Sequence, residues 1–162
     1  MSELAYIALG ANLGDPVNTL KAAIHAIEQT SGIELRKCSS FYRTAPIDSS
    51  GPDYVNAVIE VQTTLQAEAL LEQLLRIESD YGRVRPAGVH NAPRTLDLDL
   101  LLYGDKTQQT PFLHLPHPRM HQRAFVLVPL TEIAPTVTIP GLGLAKDFLF
   151  GVADQAIEKM DK

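Results

Sequence analysis

Cysteine, tryptophan and long apolar runs are what this 162-residue sequence has least of. Its single cysteine, Cys38, cannot form an internal disulfide, which agrees with a reducing compartment. No apolar stretch approaches the length of a membrane span, and the opening Met-Ser-Glu-Leu lacks the basic residues of a secretory signal. We therefore expect a cytoplasmic protein without membrane association.

An excess of positive charge is also absent, because 14 lysines and arginines stand against 19 aspartates and glutamates. The resulting net charge of -5 argues against a general nucleic-acid binder. The positive charge that is present is concentrated, since residues 83 to 123 hold five of the eight arginines and four of the five histidines. A positive region on an acidic protein predicts a small anionic ligand.

Two aspartates interrupt an apolar strand pattern between residues 96 and 103. Asp97 and Asp99 lie on the same face of such a strand, roughly 7 Å apart at their Cα atoms. Like charges on one face repel each other unless a cation lies between them, and hard oxygen ligands favour Mg²⁺. Arg94, three residues earlier, suits a polyphosphate beside the metal. The alternative is an edge strand with a solvated acidic face.

Hydrophobic periodicity predicts an α+β fold with one domain over residues 1–162. The order is strand, helix, strand, strand, helix, strand, which is the ferredoxin-like order of an antiparallel sheet with helices packed on one face. Pro129 is expected to interrupt any helix over residues 122 to 133. A final helix is predicted over residues 144 to 159. The preceding strands are predicted at 4–9, 33–44, 55–63 and 96–103, with helices from Pro16 to about Thr30 and between Thr64 and Gly82.

Short motifs in a fixed order carry a family resemblance. The strongest is His90-Asn91-Ala92-Pro93-Arg94-Thr95-Leu96-Asp97-Leu98-Asp99-Leu100-Leu101. Other matching stretches are residues 10–14, 40–44, 53–57, 82–85, 116–117 and 123–125. With these motifs the chain resembles the 6-hydroxymethyl-7,8-dihydropterin pyrophosphokinase family of folate biosynthesis.

The resemblance implies transfer of a diphosphate group from ATP to the pterin hydroxymethyl oxygen, with release of AMP. Asp97 and Asp99 match the residues that hold two Mg²⁺ ions, and paired metals neutralise a triphosphate and can polarise the reacting oxygens. With Arg83 and Arg94 they make up the expected catalytic group. The residues expected to bind ATP are Glu78, Arg83, Arg85, Arg94, His117 and Arg123.

Four further residues match the positions that bind the pterin. Tyr54 and Phe125 match the aromatic pair that sandwiches the flat ring, although either one alone is more often a core aromatic. Asn56 and Thr44 match positions that hydrogen-bond the ring edge, and an amide offers that edge both a donor and an acceptor. ATP and the pterin are thus the expected partners of a monomeric enzyme.

The chain departs from the family pattern in the loop between Arg85 and Pro93, where it lacks the tryptophan of some members. Three other interpretations stay open. One is another Mg²⁺-dependent enzyme, such as a nucleotidyl or glycosyl transferase, and a second is an RNA-recognition module of the same topology. The third is a zinc site, for which the spacing of His114, His117 and His121 is suitable.

Overall fold

A six-stranded antiparallel sheet forms the centre of the molecule. The computed structural model describes residues 2–12, 14–45, 53–82 and 96–160. The strands lie in the order β10-β3-β4-β1-β5, and β2 pairs with the remaining part of β4. Because β2 and β3 together take the place of one strand beside β4, the core has the predicted ferredoxin-like order, and the predicted α+β class is confirmed. The strands are β1 (Glu3–Ala11), β2 (Ile33–Cys38), β3 (Tyr42–Thr44), β4 (Tyr54–Thr63), β5 (Asp97–Tyr103) and β10 (Ile157–Lys159).

Among the described residues, two short strand pairs lie outside this sheet. Strand β6 (Gln108–Gln109) pairs with β7 (His114–Leu115), and β8 (Thr138–Ile139) pairs with β9 (Gly143–Leu144). The peptide bond that follows β7, between Leu115 and Pro116, is cis. After the β6–β7 pair the chain returns to β5, which it meets at His117.

Two long helices cover one face of the sheet. Helix α1 (Pro16–Glu28) begins as the sequence predicts, with Pro16 in its first turn and the Asp15 carboxylate accepting the Asn18 amide at 3.2 Å. Helix α2 (Ala67–Gly82) lies beside it. The core between helices and sheet includes Leu20 and Ile27 of α1, Leu70 and Leu74 of α2, and Ile7, Leu9 and Ile59 of the sheet.

The opposite face is covered as well, so the prediction of helices on one face only was wrong. Helix α3 (Ala124–Ile133) packs there with the 3₁₀ helices Met120–Gln122 and Ala145–Val152. The reason lies in the two central strands, which are apolar on both faces. In β4, for example, Ile59 enters the first core while Val58 contacts the cluster around α3.

Three local predictions also differ from the structure. The predicted strand 33–44 breaks at Ser39, whose hydroxyl accepts the Val58 amide at 2.9 Å and so replaces a backbone partner. Pro129 lies inside α3 without ending it, because burial of the largely apolar helix offsets a cost of about 3 kcal/mol. The predicted helix 144–159 is a 3₁₀ helix followed by β10, which pairs with the open edge of β3. In the four described ranges, no helix is long and apolar enough to cross a membrane.

Candidate active site

The strand register brings the predicted metal residues close to the predicted pterin residues. Gly10 of β1 lies opposite Asn56 of β4 on one side and opposite Asp97 of β5 on the other. Two residues earlier on β1 and on the same face, Ala8 lies opposite Val58 of β4 and Asp99 of β5. Residues directly opposite each other point to the same face of a sheet, and two strand spacings separate β4 from β5 by about 10 Å. Asn56 and Asp97 therefore lie in one row on the face that carries α3.

Gly10 lies in the middle of this row, where a side chain would crowd its neighbour. A Cβ atom at Gly10 would lie 3.0 Å from Oδ1 of Asn56. The Asn56 side chain therefore lies directly against the backbone of β1. The predicted strand 4–9 ended before Gly10 and so missed this contact, although a glycine within a strand is a known sign of close approach.

Asn56 and Thr44 form a buried polar pair. The amide nitrogen of Asn56 donates to the Thr44 hydroxyl at 2.8 Å, and both residues are nine-tenths or more buried. Tyr54 lies opposite Thr44 in the register and is half-buried. The structure thus brings three of the four predicted pterin residues together at the β3–β4 edge of the row.

The fourth predicted pterin residue, Phe125, is in the first turn of α3. The guanidinium carbon of Arg123 lies 5.4 Å from the centre of the Phe125 ring, a cation–π distance. A residue predicted for ATP and one predicted for the pterin are therefore in direct contact. Both are half-buried.

The start of α3 is held by a residue that sequence reasoning did not identify. The side chain of Gln155 accepts the amide of Ala124 and donates to the carbonyl of Gln122, each at 2.9 Å. Gln155 lies 31 residues from Ala124, so no local pattern could have indicated the contact. The C-terminal segment thus holds the turn that carries Arg123 and Phe125.

His117 stands next to β5, where its amide donates to the Leu101 carbonyl at 3.0 Å. Its Nδ1 accepts the Arg119 amide at 3.3 Å, which leaves the Nε2 position for the proton of a neutral ring. Burial lowers the pKa of the His117 imidazole, and the Asp99 carboxylate opposes this effect. The charges of Arg123 and Arg119 lower the pKa further, as does His114. His117, Asp99 and Arg123 therefore share one electrostatic environment.

We expect the metal-free chain to show a His117 imidazole that titrates below the ordinary value of about 6.5. NMR titration of the ring protons measures this pKa. Arg123→Gln should raise it, because a positive charge that disfavours the imidazolium is removed, and Asp99→Asn should lower it further. Lys146→Gln, at an exposed site on the 3₁₀ helix, is the matched control and should leave it unchanged. Shifts of the same sign in the Arg123 and Asp99 variants would contradict the assignment.

Glu78 has a different environment from the solvated surface position that is usual for a helical glutamate. It is buried, and its Oε2 accepts the amide of Leu98 at 2.9 Å. Leu98 lies between Asp97 and Asp99, on the strand that ends the sheet. Glu78 therefore holds the backbone that carries the two aspartates, while its contact with ATP stays a prediction.

The three arginines at positions 83, 85 and 94 lie outside the described residues, as does the loop that lacks the tryptophan. Their assignment to ATP therefore stays a prediction. The zinc alternative finds no support within residues 2–12, 14–45, 53–82 and 96–160, where no three His, Cys, Asp or Glu side chains form a metal-binding group. Instead, the His121 ring packs edge-on against Phe148 at 5.3 Å.

The carboxylate pair fits Mg²⁺ better than zinc. Asp97 is exposed and Asp99 is half-buried, so oxygen atoms of both are within reach of a ligand on this face. Mg²⁺ is commonly bound by one or two carboxylates, with phosphate oxygens and water completing an octahedron. Two aspartates without a third protein ligand in the described ranges suit that mode.

Comparison with known proteins identifies the family. The model of the 7,8-dihydro-6-hydroxymethylpterin-pyrophosphokinase (HPPK) family matches residues 6–135. A Haemophilus influenzae protein named 2-amino-4-hydroxy-6-hydroxymethyldihydropteridine pyrophosphokinase is 45% identical over 158 residues, covering 97% of this chain and 98% of that protein. A Pseudomonas aeruginosa protein of the same name is 37% identical over 161 residues, covering 99% and 98%.

A solved structure shares the fold. Plasmodium falciparum HPPK-DHPS, a triple mutant with SDX-DHP, matches with a TM-score of 0.72 at 15% sequence identity. The match covers 91% of this chain and 44% of that chain, so this chain spans less than half of the length of that protein. The motif resemblance is thus confirmed by a family match over most of the chain and by relatives of equal length, and the chain belongs to the 7,8-dihydro-6-hydroxymethylpterin-pyrophosphokinase family of enzymes.

Proposed function

We propose that the chain transfers a diphosphate group from ATP to the hydroxymethyl group of 6-hydroxymethyl-7,8-dihydropterin in the presence of Mg²⁺. AMP is released, and the product serves tetrahydrofolate biosynthesis. In this proposal residues 1–162 act as one domain, as a monomer in the cytoplasm. One observation carries it: Asn56, Gly10 and Asp97 form a row across three strands, with an amide at one end and a carboxylate at the other.

The pterin binds at the amide end of the row. The Asn56 amide, oriented by its hydrogen bond to Thr44, recognises the polar ring edge, because such an edge needs both a donor and an acceptor. Tyr54 and Phe125 supply the aromatic faces between which a flat ring stacks. The Arg123 guanidinium lies against the Phe125 ring, so its charge is close both to the stacked pterin and to the phosphates of ATP.

ATP binds at the carboxylate end. Asp97 and Asp99 would hold two Mg²⁺ ions, which when bound neutralise the triphosphate and stabilise charge on the transferred group. Arg94 and Arg123 pair with phosphate oxygens, and so does Arg83 or Arg85. The neutral His117 donates from Nε2 to the same polyphosphate.

The reaction replaces one oxygen–phosphorus bond with another. The pterin hydroxymethyl oxygen attacks the β-phosphorus of ATP and releases its proton to water. The bond between that phosphorus and the oxygen that bridges to the α-phosphate breaks, and AMP leaves with that oxygen. The chain contributes orientation, because a ring fixed by stacking and by its edge presents its hydroxyl from one direction.

We expect stoichiometric AMP and a pterin that carries a diphosphate when the protein receives Mg-ATP and 6-hydroxymethyl-7,8-dihydropterin. Phosphorus NMR of the mixture identifies the bond that breaks, and a reaction without the pterin is the control. An ordinary kinase would attack the γ-phosphorus and release ADP. ADP as the main product, or AMP release that does not depend on the pterin, would overturn the proposed function.

A further inference from the structure

Glu132 forms a group of hydrogen bonds that the reaction does not explain. It lies at the surface in the last turn of α3, yet its carboxylate accepts the amide of Ser40 at 3.0 and 3.1 Å and the Ser40 hydroxyl at 2.8 Å. A further hydrogen bond comes from the hydroxyl of Tyr42, which donates to the carboxylate at 2.7 Å. One side chain thus ties α3 to the segment that leads into β3.

We call the hydrogen bonds from Ser40 and Tyr42 to Glu132 the anchor. The protonation states of Glu132 and Tyr42 strengthen it. The partial burial of its carboxylate opposes ionisation of Glu132, but the hydrogen bonds from Tyr42 and Ser40 outweigh this effect and lower the pKa of the carboxyl. Burial and the neighbouring carboxylate raise the pKa of the Tyr42 hydroxyl. At neutral pH an ionised acceptor therefore faces a protonated donor, which is the stronger kind of hydrogen bond.

Both ends of this anchor are connected to the proposed pterin site. On β3, Tyr42 precedes Thr44 by two residues, so the two side chains share a face, and Tyr42 lies opposite Asn56 in the register. On α3, Phe125 and Glu132 are two helical turns apart, which places them on the same side of the helix about 10 Å apart. The anchor therefore joins the element that stacks on the ring to the elements that bind its edge.

We propose that Glu132 is a positioning residue for the pterin: by holding Tyr42 and Ser40 it fixes the distance between Phe125 and the Thr44–Asn56 pair. The inference rests on the proposed function and extends it to a residue that does not touch the substrate. Its consequence is selective. Loss of the anchor widens the pterin site but leaves the carboxylate end of the row, on β5, in place.

The test compares Tyr42→Phe and Glu132→Ala with the unchanged chain. Calorimetry gives the dissociation constants for the pterin and for a non-hydrolysable Mg-ATP analogue, and kinetics give KM and kcat. We expect the dissociation constant and the KM for the pterin to rise roughly three- to tenfold in Tyr42→Phe, which loses one hydrogen bond, and at least as much in Glu132→Ala, which also loses those from Ser40. The kcat and the nucleotide affinity should stay nearly unchanged in both variants. Glu132→Gln, which keeps the length and one acceptor oxygen, should lie closer to the unchanged chain.

Tyr103→Phe is the matched control, because it also removes a strand tyrosine hydroxyl that donates a hydrogen bond, here to the Leu65 carbonyl. It should leave pterin binding unaltered. Unchanged pterin constants in both Tyr42→Phe and Glu132→Ala would overturn the inference, and so would an equal loss of nucleotide affinity. Tyr42→Phe keeps the buried ring, so a failure of Glu132→Ala to fold does not remove the test. Absence of pterin binding by the unchanged chain would instead overturn the proposed function, and this inference with it.

Discussion

Asp97→Asn and Asp99→Asn should each lower turnover by roughly 10²- to 10³-fold, the loss seen when one preorganised electrostatic contact to a transition state is removed. Each substitution keeps the shape of the side chain but removes one of the two charges that lie side by side on one face of β5. In metal-free buffer Asp99→Asn should not lower the melting temperature and can raise it, because the repulsion between the carboxylates is removed. Steady-state kinetics at saturating Mg²⁺ and a thermal melt measure both effects.

Asp105→Asn is the control for this pair. Asp105 is exposed in the turn that follows β5, so the substitution makes the same chemical change at the opposite end of this strand, away from the row. It should leave turnover within about twofold, as is usual for surface positions without special contacts. Near-normal turnover of either Asp97→Asn or Asp99→Asn would show that the carboxylates do not hold a metal required for the reaction.

Gly10→Val is expected to have the second-largest effect, and it should act on the pterin. The first added carbon would lie 3.0 Å from Oδ1 of Asn56 and 4.0 Å from a ring carbon of Tyr54. Overpacking of this kind costs about 1–3 kcal/mol, and Asn56 is the side chain that must move. If that cost falls on binding, the KM for the pterin rises by roughly five- to 150-fold. Gly10→Ala should give a smaller change in the same direction.

The matched control is Gly151→Val. Gly151 does not have a positive φ, and a Cβ atom there would meet nothing within 4 Å, so the same change adds volume in open space. Nucleotide affinity should stay nearly constant in Gly10→Val, Gly10→Ala and Gly151→Val. Gly10 lies on the middle strand β1 and has no side chain that could bind ATP, and Gly151 lies outside the row. A Gly10→Val chain that melts normally and binds the pterin as before would disprove the close-approach role of this glycine.

The part of the fold with regular periodicity could be predicted from the sequence, and so could part of the site. Alternating strands and the capped helix α1 gave the correct order, and the alternation rule correctly put Asp97 and Asp99 on one face. Asn56 and Thr44, which the family resemblance assigned to the ring edge, are in contact. The element order and the shared face of the aspartates depend on residues close together in sequence, where local geometry decides the outcome.

The remaining features depend on distant contacts that no local pattern carries. Glu132 lies 90 residues from Tyr42, and the residue that holds the start of α3, Gln155, lies 31 residues from it. The second covered face was missed because α3 is apolar on most sides and contains a proline, so its sequence lacks the amphipathic pattern of a helix that covers a sheet. In each case tertiary packing outweighs the local preference.

Strand β10 has a further consequence for how molecules meet one another. It runs along the outer side of β3, where Ile157 lies opposite Thr44 and Lys159 opposite Tyr42. Without it, β3 would present a row of unpaired backbone groups, which is a template for pairing with a second chain. Because β10 is only three residues long and carries Glu158 and Lys159, the new border it creates is short and charged. The strand that contributes Thr44 to the proposed pterin site is thereby protected from intermolecular sheet extension.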